Sequence, residues 1–358
     1  MLNEEGGIDV DGSRGEGGGQ ILRGAVAFSA LTGRSVRIYN IRAGRAKPGL
    51  QPQHLVSMQA AAEVTGSSVS GLEVGSSEVG FTPGAVRTGR YEFDIKTAGS
   101  ITMVIQTLLP ILAFSNGESE VTIEGGTDVP WSPQLDYVRE IMIPGLRTFG
   151  VNASLELIRR GHYPRGGGKA SLRVKGVPRL TAVKAVERGK IDAVRGVSHC
   201  TNLPDHVAKR QSESALRFLK GDGIENIHIS QEVSQTGTGG PGSGIVLWAE
   251  TGSPFRIGAD SLGAKGKRAE VVGSEAAEGL MTELRSGMAL DKHMGDMAVI
   301  YMAVADGTSE VGVSSMTRHT ETMLWLSEAF LRVKWQVGSR VGGGTTIRVE
   351  GAGLGRTI

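Results

Sequence analysis

The sequence predicts a mixed α/β fold, with a core of three repeated helix-over-sheet units and an inserted smaller α/β domain. Three apolar helix patterns are each followed by a short phrase in which Gly and Ser precede an alternating strand. A phrase that recurs in the same order of elements indicates one packing unit copied along the chain. The helix patterns cover 20–31, 101–114 and 293–305, and the phrases begin at Gly33, Gly117 and Gly307.

Each copy continues in the same way after its strand. A polar loop leads to a second helix, which begins near Gln53, Pro133 or His319. Extended segments then close each unit at 71–82, 152–174 and 335–349. The predicted unit is therefore helix, strand, helix, strand, strand, and packing its helices over a sheet gives an α/β sandwich.

Residues 184–279 do not follow this unit. They carry strand patterns at 193–198, 227–232 and 244–250 and a helix pattern at 207–219. We therefore predict a repeat-built core from residues 1–183 and 280–358, with 184–279 as an inserted small α/β domain.

The apolar stretches and the cysteine content indicate the cellular environment of this protein. The longest apolar stretch, Ile101–Phe114, contains Gln106 and Pro110 and is shorter than the roughly 20 residues of a membrane helix. We expect no membrane partner. Cys200 is the only cysteine, so a reducing, cytoplasmic setting without a disulfide inside the chain is expected.

Two segments are candidates for binding phosphate. The turn Gly15–Gly19 joins a predicted strand to a helix, where backbone N–H groups favour an anion, and Glu16 within it is a candidate metal ligand. The alternative is a turn that needs glycine only for its tightness. A second, acid-free segment at 34–47 contains five basic residues, which also suits a solvated surface.

Three further positions are candidates for chemistry. His319 stands where a strand gives way to a helix, and a helix N-terminus disfavours imidazolium, so a neutral nucleophile is possible there, although the local sequence alone favours a capping or packing histidine. His293 and Asp296 share one helical face. Gln106 is a polar group inside an apolar helix and needs a partner if it is buried.

Together these stretches resemble the RNA 3′-terminal phosphate cyclase family over nearly the whole chain. Gly15–Arg23, Ile41–Leu50 and Arg160–Gly168 look like the three signature stretches of that family. The resemblance implies a core of repeated α/β units that holds a smaller inserted α/β domain, in agreement with the prediction from the repeats.

The resemblance also implies residue roles. His319 matches the histidine that becomes adenylated, and Glu16 is expected to hold a divalent metal ion. The segment of His293, Met294, Gly295, Asp296 and Met297 matches one that contacts ATP, although many members have Ala-Asp-Gln where this chain has Gly-Asp-Met. The positions that match those around the phosphates, metal and ribose are Glu16, Arg23, Arg42, Arg45, Gln53 and Gln106.

The implied activity is that of a ligase that uses ATP and Mg²⁺ or Mn²⁺ to convert an RNA 3′-phosphate into a 2′,3′-cyclic phosphate. A histidine-AMP and an RNA-adenylate are the implied intermediates. Three alternatives remain open: a non-catalytic relative that acts in ribosome assembly, an adenylyltransferase for other nucleic-acid ends, and a small-molecule transferase of similar architecture. His319 disfavours the first of these.

Overall fold

The computed structural model describes residues 6–236, 239–340 and 343–356 and has mixed α/β architecture, as predicted. Its strands form four sheets of four strands each. Three of these sheets belong to the three predicted repeats, and the fourth lies within the predicted insert.

In the first repeat, two helices alternate along the chain with the strands of one sheet. Its strand order is β1-β2-β4-β3, in which β1 and β2 are parallel and the other pairs are antiparallel. Its elements are β1 (Ile8–Asp11), α1 (Gly19–Thr32), β2 (Val36–Tyr39), α2 (Pro52–Thr65), β3 (Ser68–Ser70) and β4 (Val79–Thr82).

The second repeat has the same topology, with strand order β5-β6-β8-β7 and one parallel pair, β5 with β6. Its second helix is broken into two short α-helices joined by a π-helical turn at Val138–Met142. Its elements are β5 (Arg90–Asp94), α3 (Ile101–Leu112), β6 (Glu118–Gly125), α4 (Leu135–Tyr137), α5 (Ile143–Arg147), β7 (Asn152–Arg159) and β8 (Gly168–Lys175).

The third repeat begins at β9 (Lys184–Ala185) and resumes only after a long interruption. The interrupting segment contains β10 (Ile191–Thr201), α6 (His206–Gly221), β11 (Ile227–Ser234), β12 (Gly242–Thr251), β13 (Ile257–Leu262) and α7 (Ala269–Arg285). The repeat then continues with α8 (Lys292–Val304), β14 (Thr308–Val313), α9 (Arg318–Leu331), β15 (Trp335–Ser339) and β16 (Thr345–Glu350). Residues 341 and 342 of its predicted closing segment lie outside the described residues.

The third sheet, β15-β16-β14-β9, repeats the topology of the other two, with β9 parallel to β14. The three-fold repeat is therefore confirmed, but the predicted unit lacked a first strand, and a strand was predicted there only in the first repeat, before the glycine-rich turn. Each repeat opens with an edge strand, β1, β5 or β9, that is parallel to its neighbour. The two that were not predicted, β5 and β9, are only five and two residues long, too few for a reliable alternation signal.

The interrupting segment forms its own sheet, ordered β11-β10-β12-β13, with α6 and α7 packed on it. Its helices and sheet share a separate apolar cluster that includes Val194, Leu247 and Leu280. The other face of the sheet contacts the second repeat, where Val246 and Trp248 pack near Tyr137. The domain boundaries at 183/184 and 279/280 stay a prediction.

The large core cluster joins all three repeats through their helices. Helix α1 is buried from Ile21 to Leu31 and packs against α2, α3 and α9. Gly24 allows the close approach of α9, because a Cβ there would lie 2.7 Å from Sδ of Met323. The N-terminal ends of α1 and α9 consequently lie side by side.

Asp291 ties the insert to the second and third repeats. Its carboxylate caps α8 by accepting from the backbone N–H groups of His293 and Met294, each at 2.9 Å. The same carboxylate accepts from the Tyr137 hydroxyl at 2.6 Å and from the Gly258 N–H at 2.8 Å. A fully buried carboxylate with four donors stabilises the junction only while every donor remains paired.

We expect Asp291→Ala to lower the free energy of unfolding by about 2–5 kcal/mol, because it removes a helix cap and leaves buried donors unsatisfied. Denaturant titration monitored by circular dichroism measures the change. The control is Asp306→Ala, which removes an exposed carboxylate paired with Arg179 at 3.0 Å and should cost less than about 1 kcal/mol. Equal losses in the two variants would contradict the junction role of Asp291.

Candidate active site

His319 lies in the first turn of α9, just after β14 ends. Its side chain is 40% exposed and stands between two carboxylates. Nε2 contacts Glu16, and Nδ1 lies 3.7 Å from Oδ2 of Asp296, which is close enough for electrostatic attraction but too long for a hydrogen bond. The two ring nitrogens therefore face different groups, and Nε2 is the one on the side of the glycine-rich turn.

Asp296, from α8, fixes the start of α9. Its Oδ1 accepts hydrogen bonds from the hydroxyls of Thr317 and Thr320. Those two threonines also form a capping box: Thr317 Oγ1 accepts from the Thr320 N–H at 3.0 Å, and Thr320 Oγ1 accepts from the Thr317 N–H at 3.4 Å. One carboxylate oxygen thus accepts hydrogen bonds from both hydroxyls of the capping box at the start of the His319 helix.

The glycine-rich turn lies directly against the first turns of α9. A Cβ at Gly15 would lie 2.5 Å from Oγ1 of Thr322, so a larger residue would force the two segments apart. The guanidinium of Arg14 stacks over the ring of Trp325 at 4.2 Å. These contacts hold Glu16 at the His319 ring.

Glu16 sits among positive groups. Burial by itself raises the pKa of its carboxyl, but the hydrogen bond from Arg45 and the nearby charges of His319, Arg45 and Arg318 outweigh burial and lower the pKa overall. Arg45 donates to Oε1 of Glu16 at 2.7 Å and to its backbone oxygen at 2.9 Å. Glu16 is accordingly an ionised carboxylate at neutral pH.

The N-terminus of α1 is suited to an anion. Its N-cap is Gly18, which has no side chain to accept from the first-turn N–H groups, and the first turn contains no acidic residue. Arg23, one turn into the helix, is buried and donates to Gln20 at 2.6 Å. Burial lowers the pKa of Arg23 to about 10, so the guanidinium remains charged at neutral pH.

A cavity of about 430 Å³ opens beside His319 and is shared by all three repeats and the insert. Seven of the residues predicted for the site line it, together with side chains from the loop after β6 and the end of β13. The seven are Glu16, Arg23, Gln106, His293, Asp296, Met297 and His319.

Two side chains of this wall have buried nitrogen atoms without a hydrogen-bond partner in the described structure, Nε2 of Gln106 and Nε of Arg23. A buried donor without a partner costs about 1–3 kcal/mol. A water molecule or a polar ligand in the cavity would satisfy donors of this kind.

The other predicted residues do not line this cavity. Arg45 reaches it only through Glu16, and Arg42 donates to the backbone of Lys47 at 3.2 Å. Gln53 accepts from the Ser100 N–H at 3.2 Å and faces a neighbouring cleft. Met294 and Gly295 point into the protein, since Met294 is fully buried and a Cβ at Gly295 would lie 2.8 Å from Val313.

Two parts of the cavity wall were missed by sequence reasoning. Asp260, Ser261 and Leu262 come from the insert at the end of β13. Trp131 comes from the loop after β6. Pro130 and Pro133 flank it in the sequence, and this spacing could have predicted a conformationally restricted loop that contains an aromatic residue. The sequence contains no comparable signal for the insert, because only the tertiary fold brings it to the cavity.

A family model described as RNA 3′-terminal phosphate cyclase matches residues 14–337 of the chain. Proteins named RNA 3′-terminal phosphate cyclase from Staphylothermus marinus and Pyrobaculum aerophilum are 51% and 48% identical over 97% and 98% of this chain. A protein of the same name from Methanopyrus kandleri is 48% identical over 97% of this chain. The matches cover 99% of each of these relatives.

His54 lies behind the glycine-rich turn as a neutral imidazole. Its Nδ1 accepts from the Gln51 N–H at 3.2 Å in the cap of α2. Burial, followed by the charges of Arg23 and Arg42, lowers the pKa of His54 to about 3. Burial also lowers the pKa of His162 and His199, whose rings stack at 5.5 Å where the insert meets the second repeat.

Because these three histidines stay neutral when folded, acid favours the unfolded chain, in which each takes up a proton near pH 6.5. The free energy of unfolding should therefore fall as the pH drops below about 6.5, by up to about 1.4 kcal/mol per pH unit for each histidine. In His54→Gln the amide oxygen still accepts a hydrogen bond but takes up no proton. Between pH 6 and 4 the free energy of unfolding of this variant should therefore fall less steeply than that of wild type, by about 1.4 kcal/mol per pH unit. Denaturant titrations at several pH values test this, and an unchanged slope would contradict it.

Proposed function

Since this chain belongs to the RNA 3′-terminal phosphate cyclase family, we propose that it uses ATP to convert RNA 3′-phosphate ends into 2′,3′-cyclic phosphates. The reaction releases AMP and pyrophosphate, which makes the enzyme a ligase of the phosphoric-ester type. The observation that carries the proposal is the position of His319, whose Nε2 contacts Glu16 on the wall of a cavity that Gln106 and Arg23, each with an unpaired buried nitrogen, also line.

The chemistry proceeds in three displacements at phosphorus. Nε2 of His319 attacks the α-phosphorus of ATP and expels pyrophosphate, which leaves AMP on the histidine. An oxygen of the RNA 3′-phosphate then attacks the same phosphorus and displaces the imidazole, forming RNA-(3′)pp(5′)A. Finally the neighbouring 2′-hydroxyl attacks the RNA phosphorus, loses its proton and expels AMP.

Asp296 acts on the imidazole as a positioning residue. Its Oδ2 faces Nδ1, so the negative charge favours a proton on Nδ1 and leaves the lone pair of Nε2 for the attack. The capping box that Asp296 holds sets the direction of the ring. Nucleotide entry must replace the contact between Nε2 and Glu16, because the phosphorus has to occupy that place.

Arginine side chains bring several anionic phosphates together. Arg23 lies on the cavity wall at the N-terminus of α1, Arg45 donates to the glycine-rich turn, and Arg42 lies near the His54 ring behind that turn. Fixed positive groups of this kind stabilise charge that moves between phosphate oxygens. The final cyclisation needs little acid–base help, since oriented intramolecular attack reaches effective molarities of about 10⁵–10⁸ M.

A divalent metal ion, Mg²⁺ or Mn²⁺, fits the donor set at Glu16. This ionised carboxylate at the cavity wall is the hard oxygen donor that such ions prefer, and the adjoining phosphates supply the other oxygens. When bound there, the ion neutralises phosphate charge. Glu16 would hold it once its contact with His319 is released.

The adenosine part of ATP fits the wall of Gln106, His293 and Met297. Gln106 offers an unpaired amide Nε2 to a ribose or base acceptor, and the His293 ring offers a flat face for stacking. Met297 stands where many family members have glutamine, so at this position an apolar contact replaces an amide contact.

We place the enzyme in the cytoplasm, because its only cysteine, Cys200, is buried and the chain has no disulfide. Among the described residues, no helix combines the length and apolar character needed to cross a membrane. The non-catalytic assembly-factor alternative lacks an adenylated histidine, so His319 in this cavity favours the enzyme.

Incubation with α-³²P-labelled ATP and Mg²⁺ or Mn²⁺ should put acid-labile, alkali-stable label on the wild-type protein, as a phosphoramidate requires. His319→Ala should carry none, because the nucleophile is gone. His206→Ala, which removes an exposed histidine at the start of α6, is the matched control and should label normally. Label that persists in His319→Ala would contradict the assignment, and transfer of the label from the protein to a 5′-phosphate RNA but not to a 3′-phosphate RNA would favour a different adenylyltransferase.

Glu16→Gln should slow adenylylation by about 10²-fold at saturating ATP and raise the metal concentration needed for half-maximal rate, because the amide is a weaker ligand. Chelation by EDTA should abolish labelling of both proteins. Glu73→Gln, at an exposed position outside the cavity, should behave as wild type. An unchanged metal requirement in Glu16→Gln would remove Glu16 from the metal site.

A further inference from the structure

Trp131 has the largest exposure among the exposed large hydrophobic residues of the described structure, at 94%. It also adopts a left-handed backbone conformation with φ of 62°, which is rare and strained for a bulky residue. The loop is held in this shape, since Ser132 Oγ donates to the Val129 carbonyl at 3.1 Å and Thr102 Oγ1 donates to the Pro133 carbonyl at 3.0 Å. A strained, well-anchored loop that holds an indole in solvent indicates a binding role.

A second exposed aromatic shares a cleft with Trp131. Tyr163 is 63% exposed, and both rings line a cleft of about 290 Å³ whose other walls include Gln53 and residues 97–99. Trp131 also lines the cavity at His319, so the cleft is the direct neighbour of the reaction site. Its volume suits a single nucleotide rather than a folded partner.

Tyr163 lies at the boundary between this cleft and a larger groove. The groove encloses about 880 Å³ between the second repeat and the insert. Four basic side chains line it: Lys265 and Arg268 are exposed, Arg210 and Arg268 both contact Glu270, at 2.8 and 3.7 Å, and Lys267 pairs with Glu275. The four cations of the lining are Arg210, Lys265, Lys267 and Arg268.

We propose that the cleft between Trp131 and Tyr163 holds the 3′-terminal base of the RNA by stacking, and that the upstream backbone follows the basic groove. The proposal rests on the proposed function, which places a 3′-phosphorylated RNA end at His319. Aromatic faces bind any base, because every base presents a π-face, and cations beyond them follow phosphates without reading sequence. The strand therefore runs from the groove, past Tyr163 and Trp131, to the cavity.

Adenine of ATP is the competing occupant of the Trp131 face, because Trp131 borders both spaces. Tyr163 separates the two possibilities, since it lines the cleft and the groove but not the cavity at His319. A nucleotide that stacks on Trp131 from the cavity side would gain nothing from Tyr163. RNA in the cleft uses both rings.

The test compares the KM for a 3′-phosphorylated RNA oligonucleotide in cyclisation with the KM for ATP in histidine labelling. Trp131→Ala and Tyr163→Ala should each raise the KM for RNA by roughly 5- to 150-fold, the factor that ~1–3 kcal/mol of stacking represents, and raise the KM for ATP by far less. Trp131→Phe should restore most of the RNA affinity. Ile158→Ala, which truncates a half-exposed aliphatic side chain on β7, is the control and should match wild type.

The groove is tested with substrates of two lengths. Reversing the charge at Lys265 and Arg268 to Glu should weaken a long 3′-phosphorylated RNA and flatten the dependence of its affinity on salt, because fewer counterions are released. A single nucleoside 3′-phosphate does not reach the groove and should be cyclised as by wild type.

Two results would overturn the inference. One is a rise in the KM for ATP that equals the rise for RNA in Trp131→Ala, which would place adenine on the indole. The other is an unchanged KM for RNA in both aromatic variants while cyclisation proceeds. Failure of the proposed function is distinguishable, because wild-type protein would then give no histidine label or no cyclic phosphate at all.

Discussion

The carboxylate of Asp296 is the constraint on which the site depends. It accepts hydrogen bonds from the hydroxyls of Thr317 and Thr320, and each of these hydroxyls accepts a hydrogen bond from the backbone N–H of the other threonine at the start of α9. A helix end normally leaves such N–H groups to solvent or to a single capping side chain. Here the cap is locked by a group from another helix, so the direction of His319 is set by the packing of α8 against α9.

The repeats provide the geometry for this arrangement. Each repeat delivers helices whose N-terminal ends follow strands of one sheet, and the core packs α1 against α9 and α8 against α9. Gly15 and Gly24 allow the first helix and its preceding turn to lie against α9 at distances that a side chain would prevent. Glu16 and His319, more than three hundred residues apart in the chain, meet for that reason.

Charge in the site is distributed by the same packing. Arginines surround the glycine-rich turn, and the carboxylate of Glu16 offsets part of their mutual repulsion when no phosphate is present. His54 behind them remains neutral, since burial and two guanidinium groups oppose its protonation. A ligand with several phosphates would therefore bind to positive charge that the arginines already provide, while the neutral His54 imidazole contributes no charge.

Sequence and tertiary structure contributed different parts of this picture. The periodicity of apolar residues and the repeated Gly–Ser phrase were enough to predict three units, the helices at 20–31 and 293–305 within one residue at each end, and the α/β class. The edge strands β5 and β9 escaped prediction, because they are too short to alternate visibly and exist only by pairing with β6 and β14.

For the site, the sequence by itself determined which residue types are available: a histidine at a helix start, a glutamate in a glycine turn and a glutamine in an apolar helix. It could not determine that seven of these predicted side chains share one cavity, while Gln53 and Gly295 face elsewhere. Nor could it bring Asp260 of the insert or the exposed Trp131 to the same wall. Those placements depend on contacts between distant segments, which local propensity does not encode and only the packed core decides.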